Sequence, residues 1–218
     1  MQLFVTQKQT ARRFRGRRRT IKELFFRKRT NDEYNRRPAR PSGALARRYT
    51  VQIARYLKPE LVRLGMVHGH LDEIDPEKDR DAELARLKLD VIDELVDLFM
   101  ETGVVRNRNK FRMDMINREK GSSTAVGMGV AVPHVRSMQP RSVGLIFARS
   151  REGVWYDAPG GELVHIFFGV CSPVYDDKQA LAFYQWVAQS FLQETWLMPA
   201  LLAAEDADEI IGLLSSLQ

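Results

Sequence analysis

The chain has 218 residues, 44% of them hydrophobic, enough for one well-packed domain with an appendage but too few for two full domains. A single cysteine, Cys171, excludes an internal disulfide and fits a reducing compartment, and no apolar run approaches the ~20 residues that cross a bilayer. The net charge of +6 is unevenly placed: residues 1–48 hold 16 Lys and Arg against 3 Asp and Glu, a balance of +13, which leaves −7 for the remainder.

Residues 1–48 read as a basic arm. Arg12, Arg13, Arg15, Arg17, Arg18 and Arg19 crowd one another, and Pro38 and Pro41 break the last part of the arm. Such composition stays disordered or folds only on a partner. Two readings stand: contact with nucleic acid or an anionic membrane, or a solvated tail. No interleaved aromatics or zinc spacing support a specific nucleic-acid module. The Arg pairs are not followed by the apolar stretch of a secretory signal. An Arg-rich transit peptide is disfavoured by poor helical amphipathicity, so the cytoplasm is the expected location.

The folded part is expected to start at Tyr49 and run to Gln218. Val51, Ile53, Leu57, Leu61, Val62 and Leu64 suggest a short helix or turn and then a strand. His68 to Arg80 reads as a loop, with Gly69 and Pro76. Leu84, Leu87, Val91, Leu95 and Leu98 recur at helical spacing, widened by Ile92, Val96 and Phe99, and Gly103 stands at the C-cap. A second helix is expected over about 108–120, closing at Gly121. Val143 to Phe147 reads as a strand and Trp155-Tyr156 as an edge strand. Leu163 to Val170 is a continuous apolar run that suits a strand buried on both faces. Helices follow over about 178–191 and 194–204. A last one starts at Asp206, an N-cap with Glu209 three residues on. Helices, then strands, then helices require a mixed sheet covered on both faces.

The stretch from Arg118 to Arg136 carries the chemistry. Gly127 and Gly129 allow unusual backbone angles or close approach to a bulky group. Pro133 fixes the backbone before His134. Arg118, Arg136, Ser122, Ser123 and Thr124 supply cations and hydroxyl donors. An unprotonated imidazole attacks phosphorus readily near neutral pH, and an Arg fork neutralises phosphoryl oxygens. Spacing alone leaves a second reading open, a strand-end histidine after a glycine turn.

This stretch resembles the signature of the enzyme IIA domains of the fructose–mannitol type, from the bacterial phosphoenolpyruvate-dependent sugar phosphotransferase system, including the nitrogen-regulatory branch. Arg118-Glu119, Ser123-Thr124, Gly127, Gly129, Ala131, Pro133, His134 and Arg136 fit that pattern in order, with Ala125 where the family commonly has Gly. Tyr56 to Val62 is similar to the family's opening segment, and the resemblance covers roughly residues 50–218. It implies a three-layer α/β/α sandwich around a small mixed sheet. It implies that His134 takes phosphate from the phosphocarrier protein HPr and hands it to an enzyme IIB. Arg118 then contacts the phosphoryl group, Thr124 is a hydroxyl donor, and no metal or cofactor is expected.

The resemblance has gaps. A second family histidine opens the helix after the Ser-Pro turn, where Ala180 stands here. Lys178 or Gln179 is a possible substitute. His165 is expected to be a hydrogen-bonded core histidine rather than a replacement, and His68 and His70 loop histidines rather than metal ligands. Cys171 is expected to be a packed thiol. Residues 66–82 look longer than the family's connection. Three functions compete: a carrier in sugar phosphotransfer; a regulatory protein acting through its phosphorylation state, favoured by the missing histidine and by the lack of a fused transporter or IIB segment; and a binding module using the basic arm.

Overall fold

The apolar run after Gly161 becomes the central strand of a sheet in a computed structural model, which describes residues 52–175 and 178–217. The basic arm, the expected start at Tyr49 and the side chains of Lys178 and Gln179 lie outside the described residues. In chain order these form helix α1 (Ile53–Tyr56), strand β1 (Val62–Arg63), and helices α2 (Arg80–Glu101) and α3 (Arg108–Gly121). Strands β2 (Ala125–Gly127), β3 (Val130–Ala131), β4 (His134–Ser137), β5 (Gly144–Val154) and β6 (Val164–Pro173) follow. Helices α4 (Lys178–Gln193), α5 (Leu197–Ala203) and α6 (Ala207–Ser215) close the chain.

The sheet is mixed. Its order is β1-β5-β6-β3-β2, with β4 also paired to β6. One edge of β6 runs antiparallel to β5; the other is shared end to end by β3 and β4, both parallel to it. Alternation along the two long strands assigns their side chains to opposite layers. Ile166, Phe168 and Val170 join Leu145 and Phe147 in the core shared with α4, α5 and α6. Phe167 and Cys171 join Ile146 and Ala148 in the core shared with α2 and α3. The result is an α/β/α sandwich of three layers.

The long helix follows its apolar stripe: Leu87, Val91, Ile92, Leu95, Val96, Leu98 and Phe99 are buried along α2. It begins where the Asp79 carboxylate accepts the Ala82 N–H at 2.8 Å and ends before Gly103, at φ +68°. Asp206 and Glu209 cap α6 as expected. The Asp206 carboxylate accepts the Glu209 N–H at 2.8 Å, and that of Glu209 accepts the Glu205 N–H at 2.9 Å.

Two expectations need correction. Trp155-Tyr156 is no strand. Instead β5 continues past Phe147 to Val154, which pairs with Val164. Tyr156 is fully buried, edge-on to Phe167 at 5.1 Å. The overrun buries Arg149, which a reading by hydropathy alone sends to solvent. Its guanidinium is satisfied by the carbonyls of Leu64, Leu201, Leu202 and Ala204, mostly orphan acceptors at the end of α5. The loop before α2 is also tied down: the buried Glu94 accepts the Val67 and His68 N–H groups. Gly69 packs so closely that a Cβ there would lie 2.3 Å from Val91 Cγ2.

Candidate functional site

His134 is the first residue of β4, placed on the edge of β6 opposite Val170. Pro133 ends the preceding link, and its carbonyl accepts the Val170 N–H at 2.9 Å. The imidazole is thus held by the sheet on one side and approached by α3 on the other. Arg118, in the last turn of α3, aims two donors at one ring nitrogen. Its Nε lies 3.1 Å and its Nη2 2.9 Å from His134 Nε2. The third arm, Nη1, donates to the Ser122 carbonyl at 2.9 Å, which fixes the plane of the fork.

These contacts determine the tautomer. Arginine only donates, so Nε2 offers its lone pair. His134 Nδ1 lies 2.7 Å from the Val132 carbonyl, which only accepts, so Nδ1 carries the proton. Burial first and the Arg118 charge second bring the His134 pKa down from 6.5 to about 4, against the Val132 carbonyl and Glu119, which favour the charged ring. At neutral pH the ring is therefore uncharged, with its lone pair on Nε2.

Behind Arg118 lies a buried ionic cluster. Glu119 is 6% exposed. Its carboxylate accepts the Thr124 N–H at 2.9 Å and the Thr124 hydroxyl at 2.7 Å, and it pairs with Lys88 of α2 at 3.1 Å. The single Thr124 hydroxyl proton is therefore committed to Glu119. The cluster ties the turn after α3, which supplies the Ser122 carbonyl, to α2.

The glycines do a different job from lining an anion pocket. Gly127, Met128 and Gly129 have φ of +93°, +58° and +70° and turn the chain between antiparallel β2 and β3. Val130 pairs with Ile166 and His134 with Val170. That turn therefore sits at least four residues, about 13 Å, along β6 from the imidazole. Arg136 is exposed and donates to the Val174 carbonyl at 2.7 Å.

The other histidines stand apart. His165 opens the far end of β6 and lies 3.1 Å from the Ser150 carbonyl through Nδ1. His70 faces the Met66 carbonyl at 3.1 Å, and His68 lies 3.7 Å from Glu73. Among the described residues no three His, Cys, Asp or Glu side chains cluster as a metal site. Cys171 is buried, and burial pushes its thiol up to about 12, so it stays protonated. Ala180 is buried in the core. One turn on, Tyr184 sets its ring against His134, with centroids 4.7 Å apart and planes tilted by 52°. Sequence reading missed Tyr184; the available signal was its place four residues after Ala180, on the same helix face.

Comparison with known proteins supplies the family and the fold. The family model for the phosphoenolpyruvate-dependent sugar phosphotransferase system, EIIA 2, matches residues 81–217. The fructose-specific EIIABC component of Bacillus subtilis is 29% identical over 128 residues, 59% of this chain but only 20% of that relative's length. The nitrogen regulatory protein IIA-Ntr of Neisseria meningitidis superposes with a TM-score of 0.62 at 25% identity, covering 75% of this chain and 99% of that one. The complex of enzyme IIA mannitol with phosphorylated enzyme IIB mannitol from Escherichia coli shares the fold, with a TM-score of 0.53 at 18% identity over 73% of this chain and 97% of the matched chain. With the family model spanning more than half of its residues, the chain belongs to the EIIA type 2 family of the sugar phosphotransferase system.

Proposed function

We propose that this protein is a phosphoryl carrier that accepts phosphate on His134 from an HPr-like phosphocarrier. It then passes the group to an enzyme IIB or signals by its phosphorylation state. The observation that supports this most is the Arg118 fork closing on His134 Nε2 while Val132 holds the Nδ1 proton. The Nε2 lone pair attacks phosphorus, the donor's P–N bond breaks, and the donor nitrogen leaves with its electron pair. No proton has to move. Once Nε2 is bonded to phosphorus, the Arg118 donors turn to the phosphoryl oxygens, where charge must be neutralised. The proton retained on Nδ1 keeps the ring a good leaving group for the next transfer.

A protein partner also suits the surroundings. Met138, Val174, Tyr175 and Leu181 are exposed apolar side chains beyond the ends of β4 and β6 and on the first turn of α4. In this reading residues 49–218 form the IIA-type unit, residues 1–48 an extension, and the protein works in the cytoplasm. Among the described residues no helix is long and apolar enough to cross a membrane. Thr124 serves the site through Glu119. The regulatory form of the proposal is favoured by Ala180, which leaves that helix position without an imidazole, and by the similarity to IIA-Ntr.

The test is incubation with enzyme I, HPr and labelled phosphoenolpyruvate. Acid-labile, base-stable label on wild type, absent from His134→Ala, is expected. An unlabelled wild type, or equal label on the variant, rejects the proposal.

A further inference from the structure

The Tyr184 hydroxyl is out of place in the resting protein. Its oxygen is buried and meets no hydrogen-bond partner among the described residues. Leaving such a group unpaired is destabilising; four other described buried polar atoms share that state, and Tyr184 differs from them in its ring contact with His134. Packing alone would be served by phenylalanine, which α4 carries one position earlier at Phe183. The ring that holds this hydroxyl rests on His134. Burial above all, with Cys171, keeps the phenol protonated against Arg118 and Arg136, which favour its charged form. The site therefore holds a protonated phenol whose ring rests on the imidazole, with no acceptor for it among the described residues.

We propose that Tyr184 is a phosphoryl-binding residue, its hydroxyl donating to an oxygen of the group carried on His134 Nε2. The inference rests on the phosphorylation reading above and adds a residue to it. Phosphorylation brings three acceptor oxygens beside a ring whose hydroxyl has no partner among the described residues. Arg118 meets them from α3 and Tyr184 from α4, so the phosphoryl group is gripped from both helical layers. The phenol proton stays on Tyr184 throughout; only the hydrogen bond is gained. The resting protein carries the unpaired hydroxyl, and the phosphorylated protein recovers its energy, which shifts the transfer equilibrium toward the carrier.

The experiment uses the full chain as wild type, Tyr184→Phe and Tyr184→Leu. Each is brought to equilibrium with labelled phospho-HPr, and the ratio of label on the two proteins is read. Tyr184→Phe keeps the ring on His134. Its ratio is expected to fall about tenfold, while its resting melting temperature stays equal to or above wild type. Tyr184→Leu is expected to lower the melting temperature by removing the ring, with a ratio no higher than that of Tyr184→Phe. A wild-type ratio in Tyr184→Phe overturns the inference and leaves the phosphorylation reading standing. A lower resting melting temperature in Tyr184→Phe also overturns it, since the hydroxyl would then have a partner already. Absence of label on wild type removes both readings together.

Discussion

At the scale of single residues, the fork between Arg118 and His134 determines the pH behaviour. In the proposed reaction only the neutral ring attacks, and burial with the Arg118 charge lowers its pKa to about 4. Phosphoryl acceptance is therefore expected to be flat from about pH 5 to 8 and to fall only in stronger acid. Arg118→Ala removes the second cause of the depression but not burial, so the His134 pKa is expected to rise part of the way toward 6.5, read by NMR titration of the ring protons. An unchanged value would mean the Arg118 charge does not reach the ring. Arg118→Lys keeps a charge but loses the two-pronged contact, and acceptance is expected to drop about 100-fold. The same shift has a consequence for stability. A histidine in the unfolded chain takes up a proton near 6.5, while the folded one waits until about 4. Between these values the unfolded state binds more protons, so stability falls as pH falls. Between about pH 7 and 5, wild type is expected to lose about 2 kcal/mol more than His134→Gln in denaturant titrations, a difference that vanishes if the ring titrates normally.

At the scale of elements, the last turn of α3 is held from below by Lys88, Glu119 and Thr124. Thr124→Val keeps the volume but leaves a Glu119 oxygen without its donor. A loss of about 1–3 kcal/mol in stability is expected, with labelling of His134 retained. Normal melting with lost labelling would instead make the hydroxyl a direct phosphate donor. At the other end of the chain, Asp206→Ala is expected to cost about 1 kcal/mol through the lost cap of α6. These two positions mark what the sequence disclosed. The Asp206 cap, the stripe on α2 and the buried run in β6 were legible because each is a local pattern with its own period or spacing. Arg118 and His134 were legible because the motif holds them 16 residues apart in one unbroken segment. Strands of two to four residues, such as β2 and β3, are too short to show alternation. The overrun of β5 was hidden because Arg149 finds its acceptors more than 50 residues away, at the end of α5. Tyr184 was hidden for the same reason: only the packing of α4 on the sheet brings it to His134, 50 residues distant in sequence.

At the scale of the whole molecule, charge divides the chain in two. The segment from residue 49 onward carries −7, and residues 1–48 carry +13. On the reading that residues 49–218 form the IIA-type unit, the core layers and the His134 contacts seen among the described residues suffice for fold and site. A chain starting at residue 49 is therefore expected to keep the wild-type melting temperature and the wild-type yield of label on His134. Its net charge changes sign from +6 to −7. Retention on an anionic polymer such as heparin is a direct readout of that change, because binding by many cations weakens steeply with salt. Full-length protein is expected to bind at low salt and elute as salt rises, and the shortened chain to flow through. If the shortened chain instead loses labelling from HPr, the arm contributes to docking the phosphocarrier. The separation into an autonomous phosphoryl carrier and an electrostatic extension would then fail. If labelling persists while polyanion binding disappears, the two activities are independent, and the arm contributes a location or a second partner without touching the chemistry at His134.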